Sequence, residues 1–467
     1  MVVMKFGGTS VGSPEAIGRV ADIIEEYRSL KPVVVVSAMS KVTDSLRTIG
    51  QIASDGEMPA VQLTTLRQRH EETVRALLDR TEEEESALLT CATLLDELEN
   101  ICRGVTLLKE LSPRTIDLLS SFGERLSAPI VAALLRSRGI PAVAADARAF
   151  IRTDDRYTEA DVDFPETNRL LTEGLSSIIA SGQVPVITGF VGSTVNGVTT
   201  TLGRGASDYT ASIVGSALHA SEIWIWTDVD GAMTADPRIV DDAQVLTKIS
   251  YEEAAEMSYF GAKVLHPKTM LPAVRQHIPI RVKNTFNPSH SGTLISDQTS
   301  AMPLGVKTVT SIDRLCLIMI RGGSLIGLPD TPARVFKTTA DRKVAVLMIT
   351  QASSEHDICL LIDEKDGPVT LEALKAEFAR EMERGSLEAI TMQPKLAVVA
   401  VVGQGMKGTP GMAARTFGIL GEHGINIIAI AQGSSELNIS FVVAYEDLQR
   451  AVRFVHSAFE LGRKNVS

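Results

Sequence analysis

The sequence predicts an α/β protein: one large domain of alternating strands and helices, followed by two copies of a smaller α/β module. Three observations carry this. The first ~300 residues alternate short β-branched runs with helical stretches, the pattern of a sheet covered by helices. The runs Val2–Phe6, Val33–Ser37, Val184–Thr188, Ile223–Thr227 and Ile280–Lys283 are apolar without alternation, as strands buried on both faces are. Finally, Gly327-Leu-Pro-Asp-Thr-Pro-Ala-Arg-Val-Phe336 aligns with Gly408-Thr-Pro-Gly-Met-Ala-Ala-Arg-Thr-Phe417, and Gln351-Ala-Ser-Ser-Glu355 with Gln432-Gly-Ser-Ser-Glu436. Residue 408 stands against 327 and 432 against 351, an offset of 81 both times, so one module occurs twice without a gap. Two copies are too few for a solenoid.

In chain order, the first strand runs directly into Lys5-Phe6-Gly7-Gly8-Thr9-Ser10 and a helix from about Pro14. From about residue 52 to 120 the chain is rich in Leu, Glu, Arg and Ala, with apolar residues at helical spacing (Val74, Leu77, Leu78; Leu88, Leu95, Leu98), and reads as a helical insertion. Loop-like composition at Asn287-Pro288-Ser289-His290-Ser291-Gly292 places the end of the first domain (1–300) shortly afterwards. The first module, 313–393, reads strand Leu315–Ile320, helix Arg334–Thr339, strands Val344–Thr350 and Ile358–Ile362, helix Leu371–Met382 and strand Glu388–Met392, the ferredoxin-like βαββαβ order. The second, 394–467, has too little chain after its last helix for a fourth strand. Val306–Ser311 is expected to complete its sheet, with the first module inserted between.

The 467 residues exceed one hydrophobic core, and 44% hydrophobic with 22% charged residues is ordinary globular composition. A net charge of −11 without a basic stripe argues against nucleic-acid binding. It also means that a nucleotide site needs its own local cations. Cys91, Cys102, Cys316 and Cys359 form no metal-ligand spacing and read as buried thiols in a reducing compartment. MVVMKFGG lacks the h-region of a signal peptide, and runs such as Pro32–Val36 are far short of a membrane span. A cytoplasmic protein without membrane contact is expected.

Four segments could carry chemistry. Paired glycines after the first strand let backbone N–H groups approach phosphate oxygens, with Lys5 adding charge and the next helix its N-terminal dipole; a bland strand-to-helix turn would look the same. Thr201-Leu-Gly-Arg204-Gly-Ala-Ser207-Asp208 sets Arg204 between glycines, suited to a carboxylate, although Ser207 and Asp208 also suit helix caps. Trp226-Thr227-Asp228-Val-Asp-Gly231 and Ala235-Asp236-Pro-Arg238 follow an apolar strand, whose carboxyl end is where open α/β sheets bind ligands; Asp-Gly turns are also routine punctuation. Phe260-Gly-Ala-Lys263-Val-Leu-His266-Pro267 offers a lysine beside a glycine, with His266 read as structural. No G-x-x-x-x-G-K-[ST] and no D-F-G occurs. Gly403-Gln-Gly-Met-Lys-Gly408 fits G-x-G-x-x-G, but too little chain follows for a second mononucleotide half.

Taken together, KFGGTSVGS, SFGERLSAPI, TGFVG, TTLGRGASDYTA, WTDVDG with ADPR, YEEAAEMSYFGAKVLHPKT and IRVKNTFNPSHSGT, in that order, closely resemble the aspartokinases, and the tail repeat resembles their paired ACT domains. The resemblance covers essentially the whole chain. It implies an amino-acid-kinase (carbamate-kinase-like) three-layer αβα domain followed by two ferredoxin-like βαββαβ ACT domains. It also implies transfer of the ATP γ-phosphoryl to the β-carboxylate of L-aspartate, the first step towards lysine, threonine and methionine. By position, Lys5, Asp208 and Lys263 would be catalytic. Thr43, Glu124, Arg204 and Ser207 would bind aspartate, Glu124 through its amino group and Arg204 through its α-carboxylate. Lys5, Phe6, Gly7, Gly8, Thr227, Asp228, Asp236, Arg238 and Lys263 would contact the nucleotide. Mg2+ would be held by phosphate oxygens and water rather than by protein ligands. One departure is visible: the family reads R-G-G-S-D where this chain has Ala206, tolerable if its φ is negative.

The family's ACT modules imply an allosteric amino acid bound at a dimer interface, hence a homodimer or homotetramer, with Gln351, Ser353 and Gln432 as effector contacts. Lysine would need a carboxylate near its ammonium; Lys343–Thr350 offers none and Gln351 suits a neutral polar ligand, so threonine is favoured over lysine. The rival readings are a glutamate or N-acetylglutamate kinase, and an amino-acid sensor with a dead kinase domain.

Overall fold

The computed structural model describes residues 1–262, 265–297, 305–322, 330–351 and 357–462. Residues 1–232, 247–251 and 264–299 form one compact unit, and 233–246, 252–263 and 300–467 a second. This differs from a single cut near residue 300: segments 233–246 and 252–263 pack into the second unit.

The chain opens with β1 (Val2–Phe6), α1 (Pro14–Glu26), β2 (Val33–Val36) and four helices, α2 (Val42–Ser54), α3 (Ala60–Leu78), α4 (Glu82–Leu108) and α5 (Pro113–Ser137). β3 (Ala142–Ala145), α6 (Phe164–Ala180), β4 (Val184–Thr188), the small hairpin β5 (Val191–Ser193) and β6 (Thr199–Thr201), α7 (Ala206–Ala217) and β7 (Glu222–Thr227) follow. Then come β8 (Lys248–Ser250), α8 (Tyr251–Tyr259), α9 (Pro267–Arg275), β9 (Ile280–Asn284) and β10 (Thr293–Ser296). Local chemistry starts the helices: Ser13 and Ser112 each accept a backbone N–H as N-cap, with Pro14 and Pro113 at the first helical position.

The eight-stranded sheet has the order β3-β4-β2-β1-β7-β9-β10-β8. β1 is central and parallel to both β2 and β7, so the order reverses beside it. Alternation along β1 sends Val2, Met4 and Phe6 into a core shared with α1 and α5 and turns Val3 and Lys5 to the opposite face, against which α7 packs. Helix α5 is long and apolar enough to cross a membrane by length and composition, but 89% of that window is buried inside the protein, so it is a core helix.

In the second unit, β11 (Thr308–Arg321), α10 (Asp330–Asp341), β12 (Val346–Gln351), β13 (Asp357–Asp363), α11 (Gly367–Glu377), α12 (Ala379–Glu383) and β14 (Ala389–Val402) precede α13 (Met412–Glu422), β15 (Ala429–Ala431), β16 (Asn438–Ala444) and α14 (Leu448–Ala458). The six strands form one sheet, β12-β13-β11-β14-β16-β15. β11 and β14 are long and serve both modules. Thr308–Ile312 pairs with Val398–Val402 on the β16 side, whereas Leu315–Arg321 pairs with β13 and with Ala389–Leu396. Read from either end, four strands show the ferredoxin-like order. The expected segment Val306–Ser311 thus leads into the strand that begins at Thr308 and continues as Leu315–Ile320, with an irregularity at Arg314. Arg314 is left-handed at φ 58, and so is Lys395 at φ 57, its counterpart 81 residues on.

Segment 233–246 joins the second module because Ala235 and Val240 enter its core and Thr234 Oγ1 lies 3.0 Å from His456 Nε2 on α14. Segment 252–263 joins through a fully buried ion pair, Glu253 Oε2 to Lys307 Nζ at 2.8 Å, with the Gln404 N–H donating to Glu253 Oε1 at 2.8 Å.

Candidate active site

The carboxyl ends of β1, β2 and β7 open into a cleft of about 700 Å3 in the first unit. Lys5, pointing from β1 towards α7, meets Asp208 there, Nζ to Oδ1 at 2.6 Å. Asp208 stands in the first turn of α7, where a carboxylate also suits the helix dipole. The helix is capped not by Ser207 or Asp208 but by left-handed Gly205 (φ 66), which leaves both side chains free for the cleft. Ala206 is the first helical residue and is not among the positive-φ positions, so its methyl carries no backbone strain.

Glu124 projects from α5 into the opposite wall. It is 3% exposed, and its Oε2 is buried without a hydrogen-bond partner. Burial pushes its carboxyl up to about 8, against the pull of the Ala38 N–H and the Lys5 charge. α5 can approach this closely because residue 123 is glycine: a Cβ there would stand 2.6 Å from the Ala38 Cβ. Arg204 lines the cleft, exposed and flanked by left-handed Gly203 (φ 86) and Gly205. Thr43, in the first turn of α2, and Ser207 line it too, with Gly7, Gly8, Thr227 and Asp228.

Several expected contacts look different in place. The Gly7 N–H already donates to the Trp226 carbonyl at 3.1 Å, so Gly7 offers a phosphate room rather than a donor. The Phe6 side chain is buried and stacked on Trp226, with ring centres 5.9 Å apart, so a nucleotide could meet only its backbone. Asp236 and Arg238 lie in the second unit, paired with each other at 2.6 Å, and are not among the residues lining the cleft. Lys263 and Ser353 lie outside the described residues. Gln351 ends β12 and Gln432 follows β15, both exposed; these two edge strands approach each other. His266 is structural: its Nδ1 accepts from the Lys268 N–H and caps α9.

Residues that the sequence reading passed over also line the cleft: Lys41, Asp44, Arg47, Thr158 and Glu159. Arg47 stands four residues after Thr43 on α2, a spacing that could have found it. Arg69, from the helical insertion, donates to the carbonyls of Ser40 (2.9 Å) and Gly12 (3.1 Å) and braces two loops at the cleft.

The chemistry of this set is specific. An orphaned, buried carboxylate oxygen invites a cation, whereas Lys5, Lys41, Arg47 and Arg204 invite anions. A zwitterion with an additional anionic group, lying beside a polyphosphate, satisfies both. Among the described residues no group of three or more His, Cys, Asp or Glu side chains could cage a metal.

The amino acid kinase family model matches residues 1–284, and the ACT domain model matches 318–378 and 399–459. The chain is 37% identical to the bifunctional aspartokinase/homoserine dehydrogenase 2, chloroplastic, of Arabidopsis thaliana over 100% of its own length and 51% of that protein's. It spans about half the length of the first curated relatives it matches. It is 36% identical to Aspartokinase 1, chloroplastic, of the same plant, over 98% of this chain and 80% of that one. Among solved structures, E. coli aspartokinase III in complex with aspartate and ADP superposes with a TM-score of 0.81 at 33% identity, covering 98% of this chain and 99% of the other. The same E. coli protein has also been solved with lysine and aspartate. The chain belongs to the amino acid kinase family and, within it, to the aspartokinases.

Proposed function

We propose that the chain is an aspartate kinase that transfers the γ-phosphoryl of ATP to the β-carboxylate of L-aspartate, giving 4-phospho-L-aspartate. The observation that carries this reading is the unpartnered buried oxygen of Glu124 facing a cleft that also holds the Lys5–Asp208 pair and Arg204. The substrate ammonium sits on Glu124, its α-carboxylate on Arg204, and its side-chain carboxylate is left to face the γ-phosphate. A carboxylate is already a nucleophile at neutral pH, so no general base is needed. The barrier is repulsion between two anions, and Lys5, held by Asp208, lowers it by placing positive charge on the transferring phosphoryl. Magnesium on the nucleotide phosphates supplies further charge neutralisation. Thr227 and Asp228 are the nucleotide contacts at the end of β7.

N-acetylglutamate lacks the ammonium that Glu124 calls for, which favours a free amino acid. ADP release measured with Mg-ATP and aspartate, glutamate or N-acetylglutamate separates these substrates, and turnover with aspartate alone is expected.

The ACT modules bind an allosteric amino acid, with threonine favoured. Gln351 pairs with Ile358 on β13, and the adjoining Asp357 already faces Arg321 at 3.4 Å, which supports a neutral ligand at Gln351. Inhibition by lysine at submillimolar concentration without inhibition by threonine would overturn this choice. Ile349 and Ile430, 81 residues apart on the two edge strands, are each almost half exposed, as an interface of a homodimer would need.

A further inference from the structure

Asp117 is fully buried on α5, two helical turns before Glu124 and on the same face. Its carboxylate accepts every hydrogen bond from uncharged donors. The Thr158 N–H reaches both oxygens (3.0 and 2.9 Å), the Thr201 N–H reaches Oδ2 (3.0 Å), and the Thr201 hydroxyl reaches Oδ1 (2.6 Å). Burying a carboxylate is costly, and packing alone would be served better by an apolar side chain. The cost needs another reason, and the two partners supply it.

Both partners lead into the cleft. Thr158 lines it directly beside Glu159, and Thr201 is followed by the Gly203-Arg204-Gly205 loop. Thr158 is a β-branched residue held at φ 75, a left-handed conformation that such side chains avoid unless something fixes them. The doubly accepted N–H to Asp117 is that fixture. The two segments are also tied to each other by Ala160 N–H to the Thr201 carbonyl (3.0 Å) and by the Thr153 and Thr200 hydroxyls (2.7 Å). Gly203 then seats against Glu159, whose Cγ would stand 3.2 Å from a Cβ there.

We propose that Asp117 is a positioning residue for aspartate: by binding Thr158 and Thr201 to α5 it sets the distance between Arg204, on the loop, and Glu124, on the helix. The idea rests on the aspartate-kinase reading. It touches neither Lys5 nor the nucleotide contacts, so its effect falls on the amino-acid substrate.

The test compares steady-state constants of the full chain with Asp117→Asn and Thr201→Val. In Asp117→Asn an amide NH2 faces N–H donors, and KM for aspartate is expected to rise ~10-fold or more, with kcat and KM for Mg-ATP within ~3-fold, as loss of hydrogen bonds to a charged group predicts. Thr201→Val removes only the hydroxyl donor and is expected to raise KM for aspartate ~3-fold. A rise in KM for Mg-ATP equal to that for aspartate, or no change in either variant, overturns the proposal. Should Asp117→Asn fail to fold, an unchanged KM for aspartate in Thr201→Val overturns it alone. Absence of aspartate-dependent turnover in the wild type overturns the functional reading and this proposal with it. An active wild type with unaffected variants overturns only the proposal.

Discussion

Raising the pH from 6 to 8 should tighten aspartate binding steeply, because the ammonium of aspartate needs an ionised Glu124 and the free protein resists ionising it. With the carboxyl pushed up to about 8, only ~1 in 11 molecules carries the charge at pH 7. The apparent KM for aspartate scales with one plus the ratio of protonated to ionised Glu124, so it should fall ~50-fold between pH 6 and pH 8. Over that range aspartate keeps its own ammonium, so the slope belongs to the protein. Calorimetry gives a second readout: at pH 7 aspartate binding should release ~0.9 proton per site, seen as a heat that varies with buffer ionisation enthalpy. Glu124→Gln should abolish both effects and weaken aspartate ~100-fold or more. The same group works against stability. Its folded pKa lies above the ordinary 4.5, so between pH 4.5 and about 8 the unfolded chain has released a proton that the native state keeps, and stability falls as pH rises through that window. At pH 7 the cost is ~3 kcal/mol, which Glu124→Gln should recover. A KM for aspartate that is flat from pH 6 to 8, with no proton release, would refute the reasoning.

Two further outcomes are expected. His70, buried in α3 with Nε2 unpartnered, is held down to about 4 by desolvation; the unfolded imidazole binds a proton from pH 6.5 downwards while the native one does not. Its contribution is therefore complete above pH 6.5 and lost towards pH 4, ~2 kcal/mol of it by pH 5, and His70→Phe should flatten the acid limb of a urea-unfolding series. Gly189→Ala places a Cβ 2.7 Å from Ser207 Cβ and Oγ and 3.0 Å from the Val36 carbonyl; kcat/KM for aspartate should fall ~10-fold or more while circular dichroism stays native.

The local parts of this protein were legible from sequence, and the parts made by long-range meeting were not. β1 and its glycine turn read directly because strand, turn and helix start are contiguous. β3 has little sequence signal because Ala142-Val-Ala-Ala145 is alanine-rich, with Val143 its one β-branched residue. In sequence β11 reads as two strands because Asp313 and Arg314 break its apolar run; the bulge that lets one strand continue past them is a tertiary feature. At the site, motif order pointed to Lys5, Glu124, Arg204 and Asp208, but only the fold brings Lys5 to Asp208 across 203 residues. The family resemblance groups Asp236 and Arg238 with Thr227 and Asp228 as nucleotide contacts; that Ala235 and Val240 pack into the second unit's core is a tertiary feature the sequence does not carry. Asp117 gave no signal at all, since an aspartate near a helix start is ordinary surface chemistry until its burial is seen.

The most direct test of the central claim is ADP release from the purified chain with Mg-ATP, with and without L-aspartate, in the wild type and in Lys5→Ala. Aspartate-dependent turnover that falls ~100- to 1,000-fold in Lys5→Ala, without loss of folding, is expected from removing one preorganised charge at the transferring phosphoryl. No aspartate-dependent turnover in the wild type, with an amino acid still bound tightly, would contradict it and mark the chain as a sensor rather than a kinase.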